Sequence, residues 1–123
     1  MYVVNRFRVP ADGAERFRDD LDAAHAVLAA ASGYLEGRVG RNMDDPELWA
    51  LHTRWANVGA YRRALSSYDA KLVVVPLLSR AVDEPSAYEE VLVGVPLAEL
   101  DRVVDADGPG GGDPGAGGRR ASN

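Results

Sequence analysis

The stretch VVNRFRV, residues 3–9, predicts the first strand of this protein. Side chains alternate between the two faces of a strand, which places four of them on one face: Val3, Asn5, Phe7 and Val9. All of these except Asn5 are apolar, so this face should meet a core. A buried amide costs free energy unless something hydrogen-bonds it. Asn5 therefore fits either a satisfied core asparagine or a polar group in an apolar substrate pocket.

A helix is predicted over residues 14–31. Its apolar side chains recur at intervals of four and three residues and form one stripe: Phe17, Leu21, Ala24, Leu28 and Ala31. Asp12 and Glu15 have the spacing of a capping box at the start of this helix. Ser32 and Gly33 predict its end.

Two further strands are predicted over residues 34–42 and 47–55, joined by a turn at 43–46. Gly37 and Gly40 in the first of them indicate a bend, a bulge or the close approach of a neighbour. In the second, alternation gives one largely apolar face: Trp49, Leu51, Thr53 and Trp55. His52 belongs to the other face.

A second helix should begin after Asn57, which is a favourable N-cap, and bury a stripe of apolar side chains: Val58, Tyr61 and Leu65. Pro76 disfavours both a central strand and an unbroken helix. We therefore predict a short helix kinked near Pro76, within residues 68–82, and a last strand over 86–93. The order β-α-β-β-α-β is that of a ferredoxin-like α+β fold, with an antiparallel sheet and helices on one face.

Covering one face of the sheet leaves the other open. Alternation predicts apolar side chains there, among them Tyr2, Val4 and Leu35. Exposed apolar patches usually mark a contact surface. A homodimer that packs sheet against sheet is the simplest arrangement that covers this face.

Composition narrows the class of protein. The chain of 123 residues carries a net charge of −5, which argues against nucleic acid as a partner. It has no cysteine, two histidines and no apolar stretch of membrane-spanning length, so we expect no metal site, no membrane contact and a cytoplasmic location. We predict one domain over 1–94, a docked arm or short helix over 95–104, and a disordered glycine-rich tail over 105–123.

Three segments resemble the antibiotic biosynthesis monooxygenase family. They are residues 5–10, residues 33–35, and residues 51–55 followed by Tyr61. The resemblance covers residues 1–94 and implies a dimeric α+β barrel. It says less about activity than about fold, because one fold can carry many functions.

One branch of this family contains monooxygenases that modify aromatic polyketides with O2 and without metal or flavin. The resemblance implies a tryptophan at the end of the third strand and a tyrosine six residues later, which Trp55 and Tyr61 match. It also implies an asparagine where this chain has Leu51. An arginine is expected after the second helix, and Arg80, the nearby candidate, is out of register.

A second branch binds and degrades haem. Asn5 coincides with an asparagine on the first strand of that branch. The resemblance further implies a tryptophan near Ala64 and a histidine ligand near Val73, and neither residue type is present. Haem iron needs an axial ligand of this kind, so haem degradation is the least favoured of the three functions considered.

The leading prediction is therefore a cofactor-independent monooxygenase that acts on a polycyclic aromatic or quinone-type small molecule. Such a substrate, once ionised, can itself give an electron to O2. The protein then supplies deprotonation, oxyanion stabilisation and a dry pocket. The alternative is a non-catalytic dimeric module that binds a small molecule or serves a biosynthetic pathway.

Four residues are candidates for the chemistry. Asn5 could donate a hydrogen bond to a phenolate or peroxo oxygen, Trp55 could donate or stack, Tyr61 could relay a proton, and His52 could be the base. Each has a structural alternative: core packing for Asn5, Trp55 and Tyr61, and an interfacial face for His52. His25 is a weaker candidate base. Seven residues are predicted to bind the substrate: Phe7, Leu21, Leu28, Leu65, Tyr68, Leu72 and Arg80.

Overall fold

The computed structural model describes residues 1–97. Four antiparallel strands form one sheet in the order β2-β3-β1-β4: β1 (Tyr2–Arg8), β2 (Tyr34–Arg41), β3 (Leu48–Trp55) and β4 (Ala87–Tyr88). The predicted ferredoxin-like α+β fold is confirmed. The predicted tail over 105–123, and the predicted arm beyond Leu97, lie outside the described residues.

The helical segments cover one face of the sheet. They are α1 (Ala14–Ala29), α2 (Val58–Ser66), a π-helical turn (Ala70–Val74) and α3 (Val75–Leu78). Among residues 1–97, no helix combines the length and the apolar character that crossing a bilayer requires.

The core lies between the central strands and α1. Alternate side chains of β1 and β3 are buried, as the period of two predicts. They meet the predicted stripe of α1, of which four members are buried: Phe17, Leu21, Ala24 and Leu28. Each large apolar side chain enclosed in this way contributes about 1.5–3 kcal/mol of transfer free energy.

The predicted capping box of α1 is wrong. Residues Ala11–Gly13 form a 3₁₀ turn, in which the Gly13 amide donates to the Pro10 carbonyl at 3.0 Å. Asp12 therefore lies inside that turn, and Gly13 precedes the helix without a side-chain cap. Because Pro10 restricts the backbone at this point, the chain enters the turn before Asp12 reaches a capping position.

The predicted buried stripe of α2 is only partly buried, with Tyr61 and Leu65 packed against the core. Asn57 caps the helix as expected, and its Oδ1 accepts from the Ala60 amide at 2.8 Å. The buried positions, however, are small ones: Gly59, Ala60 and Ala64. Gly33 explains the choice of face: a Cβ at Gly33 would collide with Ala60. The helix thus approaches the turn before β2 so closely that only small residues fit, and the predicted stripe is left half-buried.

The helical prediction for residues 68–82 is confirmed. A π-helical turn, closed by the Val75 amide donating to the Ala70 carbonyl, gives way to α3 at Pro76, so the irregularity falls where the proline lacks an N–H.

The last strand is much shorter than predicted. Tyr88 pairs with Tyr2, the first residue of β1, so the pairing of β4 with β1 ends there. On the other side, the connection before β4 occupies the edge of β1, with the Val82 amide donating to the Arg6 carbonyl at 2.7 Å.

Candidate functional site

Trp55 is the centre of the candidate site. It ends β3, faces the helices and is 1% exposed. Its indole N–H donates to Thr53 Oγ1 at 2.9 Å. Two tyrosine rings lie against it: Tyr34 from β2, edge-on at 5.5 Å between ring centroids, and Tyr61 from α2 at 5.4 Å. Contacts of this geometry stabilise aromatic clusters beyond simple burial.

Asn5 lies on the same face of the sheet, on β1, and is 8% exposed. Its neighbours along the face are Val3 and Phe7, and Leu51 is its partner across the β1–β3 ladder. Among the hydrogen bonds found within residues 1–97, none involves the Asn5 side-chain amide. Asn5 is therefore a polar residue set among apolar ones, of the kind that ligand sites use for orientation.

Tyr61 is half-buried, and burial raises the pKa of its phenol far above the usual value. The phenol therefore stays protonated at every pH near neutrality. In this state the hydroxyl can donate a hydrogen bond to a ligand, and it cannot act as a base.

A third group joins the site from α1. Nε2 of His25 and the hydroxyl of Tyr34 are 2.6 Å apart, and both side chains are half-buried. Gly37 makes room for this pair, since a Cβ there would collide with both atoms. Burial, with a smaller effect of the nearby Glu36 carboxylate, raises the pKa of Tyr34.

Tyr34 is the site residue that the sequence interpretation missed. The signal that could have found it was the close approach predicted at Gly37, which the Tyr34 hydroxyl and His25 make. The register shift of β2 between Tyr34 and Glu36 turns the Tyr34 ring toward Trp55, its partner on β3.

His52 is not brought to this cluster within one protomer. It lies on the opposite face of the sheet, where its ring is 5.5 Å from that of Tyr2. On the neighbouring strand β2, the residue that pairs with His52 is Arg38. Asn5 and Trp55 lie on the helix-covered face and Tyr61 lies on α2 against Trp55, so the sheet separates His52 from the other three candidates for the chemistry.

The predicted substrate-binding residues differ widely in burial. Phe7, Leu21 and Leu28 are fully buried core residues, and Leu65 is half-buried. Tyr68 and Leu72 are 75% and 59% exposed. Arg80 lies over the Phe17 ring, and its Nη1 donates to Asp20 Oδ2 at 3.3 Å. This places Arg80 against α1 and in an exposed ion pair.

No group of three or more His, Asp or Glu side chains within residues 1–97 is arranged to hold a metal ion. The polar groups of the Trp55 cluster are instead two phenols and one imidazole, and the Asn5 amide lies further along the same sheet face.

Comparison with known proteins shows the class. Residues 1–74 match the family model described as antibiotic biosynthesis monooxygenase. This match spans more than half of the chain, and the protein belongs to that family, as the sequence resemblance implied. No curated protein matches the sequence.

Solved structures agree on the fold. SnoaB, a cofactor-independent oxygenase from Streptomyces nogalater, is 22% identical with a TM-score of 0.61, over 76% of this chain and 96% of SnoaB. Rv0793 from Mycobacterium tuberculosis is 18% identical with a TM-score of 0.60, over 76% and 97%. A conserved protein from Methanosarcina mazei Go1 is 19% identical with a TM-score of 0.61, over 73% and 91%.

Proposed function

We propose that this family member is a cofactor-independent monooxygenase that oxidises a polycyclic aromatic or quinone-type small molecule. The observation that carries the proposal is Asn5, a polar residue 8% exposed without a side-chain hydrogen bond among those found in residues 1–97, on the sheet face that carries Trp55 and meets Tyr61 of α2. The description of SnoaB as a cofactor-independent oxygenase supports the same reaction class.

The chemistry follows from what these side chains can do. An ionised aromatic substrate supplies the electrons that reduce O2. The Asn5 carboxamide donates a hydrogen bond to the oxyanion of the substrate, and in an apolar setting such a donor is worth far more than in water. The protonated Tyr61 phenol is a second donor, and the buried Trp55 holds Tyr61 in place through their ring contact.

Proton removal needs a base within hydrogen-bond reach of the substrate. His25 is the histidine connected to the Trp55 cluster, through Tyr34. His52 remains a prediction for this role, and its position requires the reacting carbon or oxygen to be presented at the other face of the sheet.

The proposal includes a homodimer formed through the open sheet face. A row of three rings crosses that face from β4 to β3, with Tyr88 stacked on Tyr2 at 5.4 Å and Tyr2 against His52 at 5.5 Å. Aromatic side chains are enriched at protein–protein contacts, which supports pairing of this face with its copy.

A second candidate function is non-catalytic binding of an apolar small molecule. Two observations favour it. Leu51 is a buried core residue where the monooxygenase branch implies an asparagine, and Arg80 is committed to Asp20 at the protein surface. A binding module would retain affinity for an aromatic ligand without consuming O2.

The deciding experiment is O2 uptake by the purified protein with an anthrone-type substrate, corrected for the uncatalysed rate. We compare Asn5→Leu, which keeps the volume and removes the amide, with Trp55→Phe. Trp49→Phe is the comparison for loss of an indole: it removes the second tryptophan, which lies opposite Phe7 and next to the Asn5–Leu51 pair, and it leaves Trp55 in place. Loss of one oxyanion donor should reduce kcat by about 10²–10³-fold. Ligand binding without uptake would establish the binding module instead.

A further inference from the structure

The cluster around Trp55 continues toward the surface as an unbroken series of rings. Trp55 contacts Tyr34 at 5.5 Å between centroids, and Tyr34 contacts His25 at 5.8 Å. The series ends in the 2.6 Å pair between the Tyr34 hydroxyl and His25 Nε2. We call Trp55, Tyr34 and His25 the aromatic relay. It runs from a fully buried indole to two half-buried side chains.

Rings at these separations are in or near van der Waals contact, so an electron can move between neighbours. Tryptophan and tyrosine are the side chains of this cysteine-free protein that lose one electron most readily. A phenol that loses an electron becomes a strong acid and must lose its proton as well. Tyr34 has a proton acceptor in place, since an imidazole nitrogen lies within hydrogen-bond distance.

The absence of a side chain at Gly37 gives the Tyr34–His25 pair the space that it occupies. Any side chain at this position of β2 would push on both the Tyr34 hydroxyl and His25 Nε2. Gly40, on the same strand, has no heavy atom near its would-be Cβ. The room at Gly37 is therefore specific to the pair.

We propose that the aromatic relay removes oxidising equivalents from the site and carries them to the surface. A radical that escapes the reaction is then reduced before it can oxidise core side chains. This rests on the proposed function for its oxidant, an organic peroxyl radical formed from substrate and O2. The peroxyl radical takes one electron from Trp55 and one proton from solvent, and becomes a hydroperoxide. Tyr34 returns an electron to Trp55 and passes its phenolic proton to His25.

A small-molecule reductant such as ascorbate then completes the cycle. It supplies one electron to the Tyr34 phenoxyl radical, which recovers its proton from His25. One electron from the reductant and one proton from solvent are consumed for each peroxyl radical quenched. Tyr61 also contacts Trp55, but no hydrogen bond found within residues 1–97 joins its phenol to a proton acceptor. The route through Tyr34 is the one that includes a proton acceptor.

The test needs no substrate, so it can fail or succeed separately from O2 uptake. The sequence holds two tryptophans, and Trp49→Phe leaves Trp55 as the sole one. In that background a light flash absorbed by tryptophan oxidises Trp55, and transient absorption follows the tryptophan radical and the phenoxyl radical. We expect the tryptophan radical to decay as the phenoxyl radical appears, and the transfer to be slower in D2O.

Three variants test the route. Tyr34→Phe should abolish the phenoxyl signal and prolong the tryptophan radical about tenfold, which corresponds to a barrier increase of about 1.4 kcal/mol. Gly37→Ala keeps every ring of the relay, disturbs the Tyr34–His25 pair, and should slow the transfer. Gly40→Ala is its matched control and should leave the transfer unchanged. A phenoxyl signal that persists in folded Tyr34→Phe, as judged by circular dichroism, would overturn the proposal.

Discussion

Asn5 and Leu51 lie directly opposite each other on the central strand pair, and both face the helices. In this chain the side-chain amide of the pair is therefore on β1. In the monooxygenase branch the implied asparagine is at the position of Leu51, on β3. Directly opposed side chains on one face have Cβ atoms within about 5.5 Å. An amide on either strand could therefore reach the same volume beneath the helices.

This relationship predicts that the effect of Leu51→Asn on folding free energy depends on the residue at position 5. Placing an amide at a fully buried position should cost about 1–3 kcal/mol of folding free energy when it has no partner. With Asn5 present, the two amides can hydrogen-bond across the ladder, so the cost should be smaller than in an Asn5→Ala background. Urea unfolding of the two single variants and the double variant measures the difference. Equal costs in both backgrounds would show that the two side chains do not meet.

Gly33→Ala should destabilise the fold strongly. Gly33 has a φ of +89°, and its would-be Cβ collides with Ala60. Strain of the backbone alone costs about 1–3 kcal/mol, and the collision adds to it. Ala60→Gly combined with Gly33→Ala should recover the steric part of the loss. Thermal unfolding compares these with Gly40→Ala, where space is open, and a melting temperature of Gly33→Ala equal to that control would refute the packing described for α2.

Stability should depend on pH through Glu84. The Arg6 guanidinium donates two hydrogen bonds of 2.7 Å to this carboxylate and holds the pKa of Glu84 below its usual value. A lowered folded-state pKa contributes stability above the unfolded pKa, and this contribution is lost as the pH falls through the folded value. The contribution is modest, because both side chains are partly exposed.

Glu84→Gln should therefore lower the melting temperature slightly at pH 7 and flatten its fall in the acid range. Thermal unfolding followed between neutral and acid pH measures both effects. Glu90→Gln is a suitable control, since Glu90 is exposed. If the melting temperature of Glu84→Gln fell with acid as steeply as that of the parent, Glu84 would not be the source of the pH dependence.

The proposed dimer makes a prediction for Val4, which lies half-buried on the open face of β1. If that face packs against its copy, Val4→Arg places a charge in an apolar contact and should yield monomers. Ala26→Arg on the exposed surface of α1 is the matched control and should stay dimeric. Light scattering after size-exclusion chromatography gives the mass of each variant. A Val4→Arg protein of dimeric mass would place the contact elsewhere.

Local patterns in the sequence predict the elements well. The order of strands and helices, the inward faces of β1 and β3, and the stripe of α1 follow from periods of two and about three and a half residues, which neighbouring residues encode among themselves. Asn5, Trp55 and Tyr61 could be placed on their elements for the same reason.

Contacts between elements were decided only by the tertiary structure. The length of β4 depends on its pairing with β1. The buried face of α2 depends on the close contact between Ala60 and Gly33. The rings around Trp55 likewise come from three other elements, β2, α2 and α1. Periodicity states which way a side chain points from its own backbone. Register and close packing between distant segments determine what it meets there.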